Sequence, residues 1–159
     1  MNIEINDIEN RLINFNDIRE ILHLVTSTAI KNYVLDFNYS LSLEIIDSQT
    51  MKSINLQHRS INKDTDVLSF PIFEDLRSNP EQIQSLPLVE LGDIFISWDK
   101  VINQAREFNI SHFDELIHLY IHGLLHLLGF DHEISANEEV LMKNCEKMLL
   151  GVVSEYLSS

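Results

Sequence analysis

The chain is poor in cysteine, in basic residues and in long apolar runs, and each shortage excludes a class of protein. A single cysteine, Cys145, allows no disulfide within the chain, so we expect a cytoplasmic protein. Cys145 lies in a predicted helix, where we expect it to be an unreactive packing residue. The acidic start, MNIEINDIEN, lacks the basic residues and the apolar stretch of a signal peptide. Segment 116–130, the most apolar one, is too short to span a membrane and is interrupted by histidines. We therefore expect a soluble protein.

The charge balance is strongly acidic. The chain has 11 lysines and arginines against 25 aspartates and glutamates, which gives a net charge of −14. A surface of this sign repels phosphate groups at long range, which disfavours a general nucleic-acid-binding protein. A polyanionic substrate would need a local cationic site, which a bound divalent metal ion or the basic group Lys52, Arg59 and Lys63 could supply. On charge alone, three solvated residues around a turn are the simpler interpretation of that group.

Apolar residues alternate at strand spacing in some segments and recur at helical spacing in others. This pattern predicts strands at residues 3–5, 39–46, 66–72 and 89–97 and helices at about residues 17–34, 48–57, 99–108, 111–128 and 135–150. Residues 73–88 contain two prolines and no clear period, so we predict a long surface loop. The sum is an α/β or α+β fold, a small mixed sheet packed with about five helices, in one domain spanning residues 1–159.

Short local signals refine this pattern. Pro71 indicates that its strand lies at an edge of the sheet or ends there, because proline cannot donate a hydrogen bond to a neighbouring strand. Gly92, inside a predicted strand, indicates a bulge or a close backbone approach. Ser111 and Ser135, each followed by an acidic residue three positions later, resemble capping boxes and open the last two helices.

The segment HGLLHLLGFDH carries three histidines at a spacing suited to a metal ion. His122 and His126 are four residues apart on a predicted helix, so their rings project from one face. Gly129 can adopt the left-handed conformation that ends a helix, which lets the chain reverse and brings His132 toward the other two rings. Three imidazoles leave one position of a tetrahedral zinc ion open, as in a catalytic zinc site.

His118 lies on the same helical face, one turn before His122. His118 and His126 are about 12 Å apart along the helix axis, whereas two ligands of one zinc ion lie about 3 Å apart. One helix cannot offer all three rings to a single ion, so we interpret His118 as a packed residue or as a partner of a ligand. Asp131 is open to two interpretations, because it can orient an imidazole through its other nitrogen or form a turn.

The ligand spacing matches that of zinc peptidases of the metzincin type, which raises a second hypothesis. In those enzymes the residue after the first histidine is a glutamate that takes the proton from zinc-bound water. Here that residue is Gly123. Without this carboxylate a peptidase lacks its general base, so we rank the hypothesis low.

Three segments together resemble a known family. HGLLHLLGFDH, NLQHRSINKDTDVLSFP and LGDIFIS are similar to blocks of the YbeY family of bacterial rRNA maturation factors, which are metal-dependent endoribonucleases, and they occur in the expected order. The resemblance extends from the helix that ends near Arg59 to the last helix. It departs at two positions, since His58 stands where members usually have tyrosine and Asp64 where they usually have proline. Both departures lie in the loop before a strand and leave the histidine motif unchanged.

The resemblance implies a metalloprotease-like zinc site on a helix and the following turn, in which His122, His126 and His132 hold one Zn²⁺ ion. It also implies cleavage of single-stranded RNA, maturation of the 3′ end of 16S rRNA and a part in ribosome quality control. It assigns a catalytic role to Arg59, whose planar guanidinium can clamp a phosphate while its negative charge grows. His58 is open to two interpretations, an acid or base and an exposed turn residue.

A second function compatible with the resemblance is non-catalytic. A metal-stabilised ribosome-assembly factor would bind rRNA or a protein partner without cutting, and it would need only the folded domain. For either function, a chain with so few basic residues can make few sequence-specific contacts with RNA by itself. We therefore expect specificity to come from the ribosome, through docking on a ribosomal protein or on an assembly GTPase.

Overall fold

Four strands and five α-helices make up the computed structural model, which describes residues 1–159. In chain order they are β1 (Asn2–Asn6), α1 (Ile18–Tyr33), β2 (Tyr39–Ile46), α2 (Ser48–Arg59), β3 (Val67–Pro71), β4 (Val89–Ser97), α3 (Trp98–Phe108), α4 (His112–Leu127) and α5 (Ala136–Ser158). The strands form one sheet in the order β1-β2-β4-β3, in which β3 runs antiparallel to β4 and the other pairs are parallel. The predicted class, a small mixed sheet packed with about five helices, is confirmed.

Strand β2 shows why these residues form a sheet. In its sequence YSLSLEII every second residue, namely Tyr39, Leu41, Leu43 and Ile45, is buried, and the residues between them are half-buried. Successive side chains on a strand point to opposite faces, so this alternation gives β2 one apolar face for the core. Pro71 ends β3, which is an edge strand as predicted.

A β-bulge interrupts the pairing of β2 with β4. Ser40 of β2 pairs with Glu90 of β4, whereas Ser42 pairs with Asp93, so β4 has one extra residue between these two pairs. Gly92 of β4 adopts a φ of 129°, and a β-carbon at this position would lie 2.1 Å from the carbonyl oxygen of Phe70. Only glycine permits this approach, so both alternatives that the sequence offered for Gly92, a bulge and a close backbone approach, are observed.

Residues 73–88 form an irregular and mostly exposed segment that is anchored to the core at two positions. They contain a 3₁₀ helix, Pro80–Ile83, and the side chains of Leu76 and Ile83 belong to the hydrophobic core. The predicted long surface loop is therefore observed, with two buried anchors that the sequence did not reveal. Leu76 and Ile83 are buried by contacts distant in the chain, which leave no local helical or strand period.

Helix α4 lies at the centre of the hydrophobic core. It contacts β3 and β4 of the sheet and helices α1, α3 and α5, and ten of its sixteen residues are buried. Cys145 of α5 is buried in the same cluster, which confirms its predicted packing role. No helix combines the length and the apolar composition that crossing a membrane requires.

Gly123 allows α4 to approach β3 and β4 closely. A β-carbon at this position would lie 2.8 Å from Cγ2 of Ile94 and 3.0 Å from Oγ of Ser69. The Ser69 hydroxyl donates a hydrogen bond of 2.8 Å to the carbonyl oxygen of Gly123. The helix is therefore fixed to the sheet, by packing and by a hydrogen bond, at the residue directly after His122.

We predict that Gly123→Ala lowers the free energy of unfolding. Overpacking costs about 1–3 kcal/mol, which exceeds the gain of about 1 kcal/mol in helix propensity. Gly151→Ala is the matched control, because Gly151 is exposed on α5 and a β-carbon there would meet no atom within 4 Å. That variant is expected to gain up to about 1 kcal/mol. Urea unfolding of both proteins tests this, and a stabilised Gly123→Ala protein would contradict the close approach of α4.

Candidate metal centre

The end of α4 returns the chain toward its own histidines. The N–H of Phe130 donates to the carbonyl oxygen of Leu125 at 3.0 Å and that of Gly129 to the carbonyl oxygen of His126 at 3.1 Å, which is the Schellman pattern of a helix C-terminus. Gly129 adopts a φ of 102°, as predicted from the sequence. This turn brings His132 into contact with the histidine face of the helix.

The imidazoles of His122, His126 and His132 form a nearly equilateral triangle. Their ring centroids are 4.7 Å apart for His122 and His126 and 5.1 Å apart for the other two pairs. One ring nitrogen of each lies within 4.8 Å of the others, and the Nε2 atoms of His122 and His126 are 3.2 Å apart. Two nitrogen ligands of a tetrahedral ion, each about 2.0–2.1 Å from it, lie about 3.3 Å apart. The cluster could therefore hold one metal ion.

The protonation of the rings suits a metal ion. His122 Nδ1 lies 2.7 Å from Oε1 of Glu146, and since a carboxylate only accepts hydrogen bonds, Nδ1 carries the proton and the Nε2 of a neutral ring presents its lone pair. Burial lowers the pKa of His126 to about 4, and the charges of His122 and His132 act in the same direction. His132 Nδ1 is buried without a hydrogen-bond partner. Converging lone pairs and an uncompensated ring nitrogen fit a bound cation.

Glu146 of α5, and not Asp131, orients a histidine of the cluster. Asp131 Oδ1 accepts a hydrogen bond of 3.0 Å from the backbone N–H of Glu133, so the turn-forming interpretation of Asp131 is the one observed. Burial raises the pKa of Glu146, but hydrogen bonds and charges from His118 and His122 more than offset this and lower it to about 2. Glu146 is therefore a carboxylate at neutral pH.

His118 stands outside the triangle, as predicted, and bridges two carboxylates. Its Nδ1 lies 2.9 Å from Oε1 of Glu115, and its Nε2 lies 3.4 Å from Oε2 of Glu146. The hydrogen bonds to Glu115 and Glu146 raise the pKa of His118 to about 10, against the opposing effect of burial. His118 is therefore a cation that lies between Glu146 and Glu115, and Glu115 is fully buried.

A second set of contacts holds the turn that carries His132. The guanidinium of Arg77 lies 4.1 Å from the ring centroid of Phe130 and pairs with Glu138 of α5 at 2.6 Å. The backbone N–H of Arg77 donates to the carbonyl oxygen of Leu128 at 2.8 Å. The segment predicted to be a surface loop thus fixes the end of α4 and the start of α5.

Arg59 and the three histidines line one cleft of about 930 Å³. Arg59 is the last residue of α2 and is exposed, and its guanidinium has no ion pair or hydrogen bond within the chain. Lys63 lines the same cleft, whereas Lys52 does not. His58 is exposed outside the cleft, with its ring centroid 5.1 Å from that of Phe70. The structure therefore brings Arg59 to the histidine cleft and leaves His58 away from it.

Sequence reasoning missed Glu115, Glu146 and Arg77. Glu146 lies 24 residues after its partner His122, and Arg77 lies 61 residues before its partner Glu138. In a chain with 25 acidic residues, no spacing rule distinguishes these two glutamates from those on solvated helix faces. The only local signal is the i,i+3 spacing of Glu115 and His118, which is common in helices.

We predict a pH-dependent contribution of His118 to stability. Because its folded pKa of about 10 exceeds its ordinary value of 6.5, the contribution is complete below pH 6.5 and is lost as the pH rises through 10. His118→Gln removes it, so the difference in unfolding free energy between wild type and variant should shrink between pH 6.5 and 10. Urea unfolding of chelator-treated proteins across this range measures the difference, and a constant value would contradict a charged His118.

Known proteins match both the chain and its fold. The family model described as Endoribonuclease YbeY matches residues 3–153. The endoribonuclease YbeY of Caldicellulosiruptor saccharolyticus is 45% identical over 77% of this chain and 78% of its own length. That of Clostridium tetani is 34% identical over 93% of this chain and 95% of its own. A solution structure of a Thermotoga maritima protein matches with a TM-score of 0.63 and 26% identity, over 99% of this chain and 93% of that one. The resemblance of the motifs is thus confirmed along nearly the whole sequence, and the chain belongs to the endoribonuclease YbeY family.

Proposed function

We propose that this protein is a zinc-dependent endoribonuclease that cleaves single-stranded RNA in the 3′-end maturation of 16S rRNA and in ribosome quality control. Its zinc ligands are His122, His126 and His132, and Arg59 binds the scissile phosphate. Membership of a family of endoribonucleases supports RNA as the substrate. The observation that carries the proposal is the common cleft, lined by three converging imidazoles and by a guanidinium with no acidic partner.

The charges of the cleft limit where a phosphate can bind. Its only cationic side chains besides the histidines are Arg59 and Lys63. Its carboxylates outnumber these cations and repel phosphate from the remaining wall; they belong to Asp64, Asp66, Glu74, Asp75, Asp131 and Glu133. A phosphodiester is therefore bound stably only between Arg59 and the histidine cluster.

Arg59 supplies the electrostatic part of the reaction. Its planar fork of N–H donors can bind two oxygens of one phosphodiester, and it stays charged at any relevant pH. As negative charge grows on the phosphoryl oxygens, these hydrogen bonds strengthen, so the guanidinium stabilises the transition state more than the substrate. Because Arg59 has no partner within the chain, binding the phosphate breaks no existing ion pair.

The histidines supply the nitrogen ligands, and His126 is neutral at neutral pH. Burial keeps the pKa of His126 near 4, so its lone pair is available without loss of a proton. His122, His126 and His132 would hold a Zn²⁺ ion, which would supply Lewis acidity by lowering the pKa of a water and polarising a phosphoryl oxygen. Glu146 holds the proton on Nδ1 of His122 and thereby leaves its Nε2 facing His126 of the cluster, as a metal ligand would require.

The acidic surface supports selection of the RNA by a partner. A net charge of −14 and two basic residues in the cleft leave few contacts that could read a sequence of bases. We therefore include in the proposal a cytoplasmic enzyme that is directed to its RNA by the ribosome, through a ribosomal protein or an assembly GTPase. Complementary charge between an acidic enzyme and a basic partner favours such docking.

The packing of α4 argues against a peptidase. In metzincins the general base is the glutamate at the position of Gly123. Here a β-carbon alone would already lie 2.8 Å from Ile94 and 3.0 Å from Ser69, so a longer side chain has no room at this position. A non-catalytic, metal-stabilised assembly factor is the remaining alternative, and the experiments below distinguish it from the enzyme.

We predict one Zn²⁺ ion per chain in the purified protein. His126→Ala removes one of the three imidazoles, so the variant should lose its zinc during dialysis against a weak chelator. His112→Ala is the matched control, because this exposed histidine of α4 packs on Trp98 outside the cleft, and it should retain the ion. Elemental analysis of the dialysed proteins measures the occupancy. Full zinc occupancy in His126→Ala would contradict the ligand set.

We predict that Arg59→Ala slows cleavage of a labelled single-stranded RNA by about 100-fold or more, the usual loss when a donor to a developing oxyanion is removed. Zinc content should stay unchanged, because Arg59 is not a ligand. Arg106→Ala is the control, since Arg106 is an exposed arginine of α3 outside the cleft. Chelation should abolish cleavage by the wild type. If the zinc-loaded wild type cuts neither free RNA nor RNA in assembling ribosomal particles, the non-catalytic assembly factor is the correct function.

A further inference from the structure

A line of four polar side chains leads from α3 to the histidine cluster. Gln104 donates from Nε2 to Oε2 of Glu115 at 3.0 Å. Oε1 of Glu115 lies 2.9 Å from Nδ1 of His118, and Nε2 of His118 lies 3.4 Å from Oε2 of Glu146. Oε1 of Glu146 lies 2.7 Å from Nδ1 of His122. The line connects three helices, α3, α4 and α5, and ends on the ring that faces His126.

The directions of these hydrogen bonds fix where the protons lie. Carboxylates only accept, so Nδ1 of His118 donates to Glu115, while its Nε2 lies in ion-pair contact with Glu146. With a pKa of about 10, His118 is an imidazolium placed between these two neighbours. The same rule places a proton on Nδ1 of His122, which leaves the Nε2 of that ring as the atom that faces the cluster.

The burial of the two carboxylates is costly unless each is compensated. Glu115 is fully buried, and the side chain of Glu146 is 13% exposed. A buried charge without a partner destabilises the fold strongly, whereas a paired and hydrogen-bonded one does not. The cationic His118 lies between the two carboxyl groups, and the carboxylate of Glu146 places negative charge next to His122. A divalent cation at the histidine cluster is the group that this charge favours.

We propose that Glu146, held by His118 and Glu115, is the positioning residue of the metal centre, which sets the tautomer of His122 and raises the affinity of the cluster for a divalent cation. The proposal rests on the metal site of the proposed function and extends it to side chains that do not touch the ion. A carboxylate that accepts from the distal N–H of a ligating histidine increases the basicity of that ligand. Removing such a partner typically weakens metal binding by about 10–100-fold.

The arrangement also links metal binding to the packing of α5. Glu146 is the residue of α5 that contacts His122, whereas Arg77 and Glu138 fix the start of the same helix beside Phe130. A bound ion would therefore be held by ligands on α4 and on the following turn, and α5 supports both of these segments. Loss of the Glu146 carboxylate should loosen one ligand and leave the other two, His126 and His132, in place.

Competition between the protein and a chromophoric chelator for Zn²⁺ tests the proposal. We expect Glu146→Gln to bind Zn²⁺ about 10–100-fold more weakly than the wild type. Glu155→Gln is the matched control, since it makes the same change on an exposed position of α5, and it should bind as the wild type does. His118→Gln, which removes the cation that holds Glu146, should give a smaller loss in the same direction. Should Glu146→Gln fail to fold, Glu146→Asp, whose carboxylate is one methylene too short to reach Nδ1, is expected to show the same weakening.

A second readout separates positioning from general destabilisation. Nitrogen NMR of the zinc-free proteins reports the tautomer of His122, and we expect the Nδ1–H form in the wild type and an increased Nε2–H form in Glu146→Gln. If the wild type and Glu146→Gln bind Zn²⁺ equally well and the His122 tautomer is unchanged, the inference about Glu146 is overturned and the proposed metal site stands. A wild type that binds no Zn²⁺ would overturn the proposed metal site and the inference with it.

Discussion

The close contact of α4 with strands β3 and β4 at Gly123 is the constraint on which the rest of the structure depends. Because no side chain separates helix and sheet there, the backbone of α4 lies against Ile94 and Ser69, and the Ser69 hydroxyl holds the carbonyl oxygen of Gly123. This contact fixes the position and rotation of the helix immediately next to His122. The Schellman turn at Gly129 then sets where the chain can return, so that His132 meets the other two rings.

Burial of an apolar helix gives the histidines their chemical character. Leucines and isoleucines of α4 fill the core, and the imidazoles emerge from the same helix at the edge of that core. Partial desolvation keeps His126 neutral, whereas two carboxylates keep His118 charged although it lies on the same helical face. Two histidines eight residues apart thus differ in charge at neutral pH because of their neighbours, and only the neutral one belongs to the cluster.

The scarcity of basic residues limits the positions at which this chain can attract an anion. In a chain of net charge −14, most acidic side chains face solvent and keep polyanions at a distance. Arg59, at the end of α2, keeps its guanidinium unpaired next to the histidine cleft. Any anion that reaches this position meets donors for which no internal ion pair competes.

The sequence by itself determined the features that depend on local geometry. Alternation in YSLSLEII predicts β2, and the four-residue spacing of His122 and His126 predicts two rings on one helical face. Gly129 predicts the chain reversal that adds His132. All three features depend on residues close together in the sequence. The tertiary structure alone decided that Glu146 supports His122, that Arg77 holds the turn before His132, and that segment 73–88 enters the core. These pairings join positions 24 to 61 residues apart, or bury apolar side chains that follow no local period. A glutamate on a solvated helix face and one that holds a histidine of the cluster have the same local sequence signature, and only the packing of the helices distinguishes them.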